Sequence, residues 1–318
     1  MHMADALVSA PVAVTAGVVA AALIVVASRK VSRINREDIL PLMGVMGAFV
    51  FAAQMINFSI PGTGSSGHII GGVLLAALMG PWAAFITLAS VLIIQCLIFA
   101  DGGLMALGCN LINMAAMSCL VAYPLLYRPI AGNSLKKWRV MAASVVACIV
   151  GLELGALLVT GETELSGITA LPTSQFLMFM LPIHLAIGLC EGLATGVVLC
   201  FVMSYRPEML YRPGVQNEYS GKSEKLTKRS KVVLSVFAGL AIVMGVAFTW
   251  VASSDPDGLE WSISKLTGST ELAPAVTPVT ALMPDYDSTF AGVLGGLIVV
   301  ALIWGFCSII FRKRHVKA

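Results

Sequence analysis

The chain has 318 residues, of which 58% are hydrophobic and 12% are charged, and its net charge is +3. Soluble domains carry about 25% charged residues, so this composition and the mean hydropathy of +0.90 indicate an integral membrane protein. They exclude a disulfide-stapled secreted domain, a disordered polymer and a protein that binds nucleic acid.

Nine segments are apolar enough to cross a membrane, where about 20 apolar residues span roughly 30 Å of hydrocarbon. They lie at about 10–28, 39–57, 66–80, 82–100, 103–127, 140–160, 173–203, 232–252 and 288–311. The third is the shortest, and the Gly80-Pro81-Trp82 boundary also allows the third and fourth to form one long broken segment. We predict an all-α integral membrane protein with about nine transmembrane helices.

The basic residues lie on one side of this nine-helix arrangement. All but one of the 20 Lys and Arg residues occupy the loops after the first, fifth and seventh segments and the C-terminal tail, and the exception is Lys265. The acids on the opposite side are Asp5, Asp101, Glu162, Glu164, Asp255, Asp257, Glu260, Glu271, Asp285 and Asp287. Because basic residues concentrate on the cytoplasmic face, we predict a multi-pass protein of the inner cell membrane, with its N-terminus outside and its C-terminus in the cytoplasm.

The polar, basic linker 206–231 divides the chain into two parts. We predict a membrane domain at 1–205 and a two-helix module at 232–318 with an outer loop at 253–287. The linker contains Gly221-Lys222-Ser223, the end of a phosphate-binding loop, but Gln216 stands where that motif needs glycine and no buried strand precedes it. We therefore expect no ATP site in this chain.

Met1, His2 and His68 form a candidate metal site on the outer side. No cleavable signal precedes the first segment, and the bulky His2 side chain predicts that Met1 is retained with a free α-amine. This amine, the deprotonated backbone nitrogen of His2 and the His2 imidazole can chelate one ion, and His68 can supply a fourth nitrogen. Four nitrogens in a plane suit Ni²⁺ or Cu²⁺. The alternatives are an unstructured His2 and a His68 that faces water at a helix start.

Two outer loops supply residues that support this site. His68 closes the segment 59–67, whose glycines let the backbone approach a small ligand and whose Ser or Thr residues can cap the next helix. A flexible connecting loop is the alternative interpretation. The second loop, 101–103, precedes two asparagines, which at membrane depth need polar partners and more commonly cross-link helices than touch a substrate. The predicted supporting residues are Ser66, Gly67, Asp101, Asn110 and Asn113.

Three ionisable residues, Glu153, His184 and Glu191, lie well inside the predicted membrane segments, and such groups are functional candidates. His184 and Glu191 lie seven residues apart on one helix face. A proton relay in a proton-coupled secondary transporter explains them. A buried hydrogen-bonded pair that ties this helix to its neighbour explains them equally well, and we favour it. An intramembrane enzyme would need a further catalytic partner, and the sequence offers only Glu153.

The second segment carries a face of small residues, Gly44, Ala48 and Ala52, at spacings of four. Such a face lets two helices approach closely. It either packs inside this bundle or docks another membrane subunit, and the sequence alone leaves both open.

Several motifs together resemble a known family. They are Met1-His2, Pro61-Gly62-Thr63-Gly64-Ser65-Ser66-Gly67-His68 followed by Gly71-Gly72, Gly80-Pro81-Trp82-Ala83-Ala84, Asp101-Gly102-Gly103-Leu104, Asn110 with Asn113-Met114, and His184 to Glu191-Gly192-Leu193. Over roughly residues 1–205 they resemble the CbiM/NikM substrate-binding membrane subunits of energy-coupling-factor (ECF) transporters for nickel and cobalt. Asp255-Pro256-Asp257-Gly258-Leu259-Glu260-Trp261 resembles the PDGLE motif of the NikN-type (CbiN-like) accessory component, here fused to the first part.

The resemblance implies a seven-helix substrate-binding bundle with a two-helix accessory module. It implies a metal held by the retained terminal amine, by the backbone nitrogen and imidazole of the second residue, and by the loop histidine, here Met1, His2 and His68. There are two departures: Ala6 follows Asp5 where the family has glycine, and Asn57 stands where many relatives have histidine.

The resemblance also implies partners, namely a T-type membrane component and two ABC-type ATPase subunits. By analogy, the small-residue face becomes a candidate docking surface for the T component. We predict a subunit that captures Ni²⁺ on the outer side for an ATP-driven importer, with Co²⁺ uptake for cobalamin synthesis as the alternative. No catalytic residue and no cofactor is expected, since the metal is cargo, and the acids of loop 253–287 suggest that this loop helps to admit it.

Overall fold

The computed structural model describes residues 1–34, 39–133, 136–211, 228–247, 250, 252–270, 272 and 289–315. These residues are mostly helical and contain one two-stranded sheet. The helices are α1 Ala10–Val31, α2 Ile39–Gln54, α3 Gly72–Met79, α4 Pro81–Phe99, α5 Leu107–Asn110, α6 Arg128–Ala131, α7 Lys137–Ser166, α8 Thr173–Tyr205, α9 Lys228–Ala247, α10 Gly258–Thr267 and α11 Thr289–His315. A π-helix at Leu111–Tyr127 joins α5 to α6, and short 3₁₀ turns lie at Asp5–Leu7 and Pro207–Met209.

Among the described residues, five helices are long and apolar enough to cross a membrane: Ala10–Val31, Pro81–Phe99, Leu107–Ala131, Lys137–Ser166 and Thr173–Tyr205. Shorter apolar stretches occur at Ile39–Gln54, Lys231–Val246 and Gly292–Phe306. The chain is therefore a multi-pass helical membrane protein. The count of nine crossings stays a prediction.

The third predicted span differs from the expectation of a separate transmembrane helix. The structure has α3, a helix of 8 residues, which follows a β-hairpin. At 1.5 Å per residue such a helix covers about 12 Å, less than half of the hydrocarbon thickness. Gly80 ends it with a φ of 84°, and Pro81 begins α4, where its missing N–H costs no helical hydrogen bond.

The hairpin pairs β1 (Phe58–Ile60) with β2 (Ser65–Gly67) in antiparallel register. Its turn contains Gly62 and Gly64 with φ values of 79° and 72°, a backbone region that glycine enters without steric cost. The sequence predicted this segment as a loop, and the structure gives it a defined register that fixes where β2 ends, directly before His68.

Close packing of α7 on α8 fixes the position of the polar residues of α8. A Cβ atom on Gly188 would lie 2.8 Å from Ile149 Cα, and one on Gly192 would lie 2.5 Å from Val145 Cα. Small residues at such contacts let helix backbones approach. A Cβ atom on Gly67 would likewise lie 2.5 Å from Ile187 Cγ1, so the end of the hairpin packs directly on α8.

The small-residue face of α2 packs against α11. A Cβ atom on Gly44 would lie 3.7 Å from Val300, and one on Gly296 would lie 3.7 Å from Ala48 Cβ; Ala52 is buried. In the described part of the chain, this face thus contacts the second module of the same molecule. A separate membrane subunit that docked there would have to displace α11.

Candidate metal site

Asn110, the last residue of α5, holds the N-terminal segment in place. Its Oδ1 accepts a hydrogen bond from the Met3 N–H at 2.7 Å, and its Nδ2 donates to the Met3 carbonyl at 3.1 Å. The Gly103 N–H donates to the same carbonyl at 2.9 Å. Because both the N–H and the carbonyl of Met3 are hydrogen-bonded, the two residues before it have little freedom.

Glycine at position 103 is required by the close approach of Asp5. The Asp5 carboxylate accepts from the Ala106 N–H at 3.0 Å, and a Cβ atom on Gly103 would overlap both that carboxylate and the Asp5 backbone. The N-terminal segment therefore packs directly on the outer turn predicted from Asp101-Gly102-Gly103.

The Met1 amine, His2 and His68 come together, as the candidate site requires. The Met1 nitrogen lies 3.4 Å from His68 Nε2, and the His2 and His68 rings stack with their centroids 5.1 Å apart. Nitrogens that share one metal ion at about 2 Å each lie at most about 4 Å apart. The distance between the terminal nitrogen and His68 Nε2 is thus short enough for both to bind one ion.

His68 presents a lone pair to the terminal amine. Its Nδ1 lies 3.2 Å from the Ile69 carbonyl oxygen, and because a carbonyl only accepts, Nδ1 carries the hydrogen and Nε2 does not. Burial and the nearby Met1 ammonium group lower the pKa of His68 to about 3. The ring is therefore neutral near pH 7, which is the form that binds metals.

His2 lies between two polar side chains. Its Nδ1 lies 3.1 Å from an Asp101 oxygen, and its Nε2 lies 3.2 Å from Gln95 Oε1. Both contacts at once would suit a doubly protonated ring, but burial and the Met1 ammonium group lower the pKa of His2 to about 3. The buried ring is therefore neutral near pH 7, donates to one of these oxygens and keeps a lone pair on its other nitrogen.

Asp257, from the second module, reaches the terminal amine. The Met1 ammonium group donates to Asp257 Oδ2 at 2.6 Å. Burial alone would raise the pKa of the Asp257 carboxyl, but the ammonium group and backbone N–H donors lower it well below its usual value. Asp257 also caps α10, with its Oδ1 accepting from the Leu259 and Glu260 N–H groups at 2.8 and 2.9 Å.

Further contacts fix Asp257 over the hairpin. The Ser66 N–H donates to the Pro256 carbonyl at 2.8 Å, and the Ser66 hydroxyl donates to the Asp255 carbonyl at 2.7 Å. The Trp261 indole N–H donates to the Thr63 carbonyl at 3.0 Å. The segment that precedes α10 therefore lies beside β2, and the Asp257 carboxylate faces the Met1 ammonium group.

His184 and Glu191 do not form the hydrogen-bonded pair that the sequence predicted. Glu191 accepts hydrogen bonds from the Ile70 and Gly71 N–H groups at 2.8 and 2.9 Å, and His184 Nδ1 lies 2.7 Å from the Met180 carbonyl of its own helix. Glu191 thus ties α8 to the backbone just after His68. The seven-residue spacing put both on one helix face, but each finds a nearer backbone partner.

Asn113 stands apart from the site. Its Nδ2 donates to Glu162 Oε2 at 2.7 Å, which cross-links the π-helix to α7. Of the five predicted supporting residues, Ser66 and Gly67 form the hairpin contacts, Asp101 contacts His2 and Asn110 holds Met3.

Sequence reasoning missed two contacts of the site, Gln95 and Asp257. Gln95 is a polar residue in an otherwise apolar helix and Asp257 belongs to the PDGLE motif, so both carried a signal, but nothing in the sequence paired them with the terminus. Within the described residues, no group of three or more His, Cys, Asp or Glu side chains could hold a metal ion. A site here depends on main-chain nitrogen, as the chelation argument proposes.

A helical membrane protein that gathers its terminal amine, two neutral imidazoles and a carboxylate in one buried cluster belongs to the class of metal-handling membrane proteins. A family model described as the CbiM cobalt uptake substrate-specific transmembrane region matches residues 2–209, and the PDGLE domain model matches residues 231–312. The chain belongs to the CbiM family and carries a PDGLE domain.

Similar proteins agree with this assignment. A protein of Archaeoglobus fulgidus that carries the name fused nickel transport protein NikMN is 32% identical over 88% of this chain and 90% of its own. The fused nickel transport protein NikMN of Rhodobacter capsulatus is 31% identical over 66% and 64%, and the cobalt transport protein CbiM of Sorangium cellulosum is 31% identical over 54% and 76%.

Two solved structures also match. A truncated transition metal transporter is 31% identical, with a TM-score of 0.57 over 64% of this chain and 99% of the other. A second transition metal transporter is 29% identical, with a TM-score of 0.58 over 70% and 98%. The protein is thus a member of a nickel and cobalt transport family rather than an enzyme.

Proposed function

We propose that this chain captures Ni²⁺ on the outer side of the membrane, as the substrate-binding subunit of an ATP-driven ECF importer. The observation that carries the proposal is the position of the Met1 amine, 3.4 Å from His68 Nε2 and beside the stacked His2 ring. Met1 and His68 are only 5% and 7% exposed, so an ion held there is shielded from water.

Capture exchanges protein contacts for metal bonds. The Met1 ammonium group loses a proton and its bond to Asp257, and the His2 backbone nitrogen loses a proton. The His2 ring leaves Asp101 so that Nδ1 closes a six-membered chelate ring, and His68 adds Nε2. The result is four nitrogen ligands, a set that favours a square-planar ion.

Two considerations favour Ni²⁺ over Co²⁺. A planar set of four nitrogens suits Ni²⁺, and relatives in which both parts are fused carry the name nickel transport protein. Co²⁺ capture by the same ligands is the alternative, because other similar proteins carry the name cobalt transport protein.

The proposed orientation of the protein in the membrane follows from the distribution of its charged residues. The predicted cytoplasmic loops hold nearly all basic residues and the opposite side holds the acids, which is the bias of an N-terminus-out protein. It places the metal cluster where ions arrive. A cysteine in place of Thr270 should react from outside with a membrane-impermeant maleimide, and one in place of Asn133 should not; the reverse pattern would invert the orientation.

The partners in the proposal are a T-type membrane component and two ATPases. The incomplete phosphate loop at 221–223 supports this division of labour, because an ATP-driven importer would then need its ATP site on another chain. The T component would contact membrane faces of this chain other than the small-residue face of α2, which α11 covers.

Uptake of radioactive nickel tests the proposal. Cells that express the chain with its T component and ATPases should accumulate nickel, and omission of the ATPases should abolish accumulation. His2→Ala and His68→Ala should each reduce uptake at least about tenfold, since each removes a ligand, while His315→Ala serves as a control histidine in the predicted cytoplasmic tail. Equal uptake by all three variants would contradict the proposed site.

A further inference from the structure

His184 has a nitrogen whose role the terminal site does not explain. The side chain is fully buried, and its Nδ1 donates to the Met180 carbonyl at 2.7 Å. Because Nδ1 carries the hydrogen, Nε2 bears a lone pair, and this atom has no hydrogen-bond partner among the described residues. Metal-binding histidines are arranged in this way, with one ring nitrogen held by a backbone carbonyl and the other free for the ion.

The free edge of the His184 ring lies next to the segment that holds Asp257. A Cβ atom on Gly258 would lie 3.1 Å from His184 Cε1, the carbon between the two ring nitrogens. Gly258 therefore lets the backbone beside Asp257 approach an imidazole without a side chain between them.

Contacts along α8 show the order in which His184, the end of the hairpin and the His68 segment lie along the helix. Successive turns of the helix contact Gly258 at His184, Gly67 at Ile187, and the Ile70 and Gly71 N–H groups at Glu191. His68 thus lies beyond the Gly67 contact, one to two turns further along α8 than His184. In the proposed orientation His184 is the outer of the two histidines.

We propose that His184 Nε2 and the Asp257 carboxylate form a transfer position, where a divalent cation rests before it reaches the terminal site. The proposal rests on the proposed capture function. Two protein ligands hold an ion less tightly than the four nitrogens of the terminal site, so an ion at this position exchanges readily. Asp257 lies between the two positions, because its Oδ2 accepts from the Met1 ammonium group at 2.6 Å and the next residue, Gly258, packs against His184.

A transfer position has a kinetic signature. It lowers the barrier for entry and exit alike and leaves the equilibrium affinity of the terminal site unchanged. His184→Phe keeps an aromatic ring but removes the lone pair. Ile183→Ala is the matched control, because Ile183 also packs on Gly258, at 3.1 Å from the same Cβ position, and carries no ligand atom.

The experiment uses the purified full chain with Ni²⁺ alone as the probe. Rapid mixing followed by a chelator quench gives the loading rate, dilution into chelator gives the release rate, and equilibrium titration gives the affinity. For His184→Phe we expect both rates to fall at least about tenfold, the loss that follows removal of a metal-site group, with little change in affinity. Ile183→Ala should match the wild type.

Two outcomes would overturn the transfer position: unchanged rates in His184→Phe, or a weaker affinity with an unchanged loading rate, which marks a structural role. If His184→Phe does not fold, His184→Gln takes its place, and its loading and release rates should fall below those of the wild type with little change in affinity. A wild-type chain that binds no Ni²⁺ would contradict the proposed function itself, whereas normal binding with unchanged rates in the variant contradicts the transfer position alone.

Discussion

Asn110 and Asn113 are chemically identical residues with different surroundings. Asn110 bonds both polar atoms of the Met3 peptide unit, whereas Asn113 contacts Glu162. Asn110→Leu should therefore weaken Ni²⁺ binding about ten- to 100-fold, as the loss of a supporting residue does, because the terminus loses its anchor. Asn113→Leu is the matched control and should change the affinity much less in the same titration. Equal losses would show that Asn110 has no special part in the site.

Proton release on metal binding tests which nitrogens are ligands. Burial keeps the pKa values of His2 and His68 at about 3, so both rings are already neutral at pH 7 and contribute no protons. The terminal ammonium group and the His2 amide must each lose one, which predicts about two protons released per ion and an affinity that rises with pH. Calorimetry in two buffers of different ionisation enthalpy measures this number. A value near zero would show that neither the terminal nitrogen nor the His2 backbone nitrogen is a metal ligand.

Part of this residue-scale chemistry could be predicted from sequence. Met1 and His2 are neighbours in the chain, so their chelate geometry follows from covalent structure, and His68 was named as the fourth ligand from the predicted topology. Asp257 lies 256 residues from Met1, and a pairing over that distance depends on how α10 packs on the hairpin. No local pattern encodes it, and the same holds for the contact of Gln95 with His2.

At the scale of elements, Glu191 on α8 fixes the backbone that follows His68. Its carboxylate accepts two N–H groups, from Ile70 and Gly71. Glu191→Gln offers one acceptor oxygen for two donors, which should cost about 1–3 kcal/mol of stability and weaken metal binding by loosening His68. Thermal unfolding in detergent and nickel titration measure the two effects.

Glu153→Gln is the control for this prediction. Glu153 is also an acid of a membrane helix, but its Oε1 has no hydrogen-bond partner among the described residues, so its substitution should leave metal affinity unchanged. A proton-coupled secondary transporter would require both acids for transport. Loss of uptake in Glu153→Gln with intact binding would therefore favour that alternative over the ATP-driven mechanism.

Helix type was easier to predict than helix length. Long apolar runs gave α1, α4, α7 and α8 close to their observed bounds, because about 20 apolar residues have few alternatives to a helix in lipid. The segment 66–80 was predicted as one span, but it combines the end of a β-hairpin with a helix of 8 residues. The glycines of this segment indicated a break but not the hairpin, because its short strands show no clear alternation of apolar and polar residues.

At the scale of the whole molecule, the two family domains meet at the candidate metal site. The CbiM region supplies the N-terminal segment and His68, and the PDGLE domain supplies Asp257 and the α11 helix that covers α2. In the predicted topology, the net charge of +3 divides into a basic side and an acidic side. An acidic outer side would raise the local concentration of cations, which suits the proposed capture of a divalent ion.

The central claim is that the N-terminal amine is a metal ligand, and one added residue before Met1 tests it most directly. The extension turns the amine into an amide and leaves every side chain in place. Native mass spectrometry and titration should show one Ni²⁺ per wild-type chain with Met1 retained, and an affinity at least about 100-fold weaker for the extended chain, since the chelate is lost. An extended chain that binds one ion at full affinity would contradict the account.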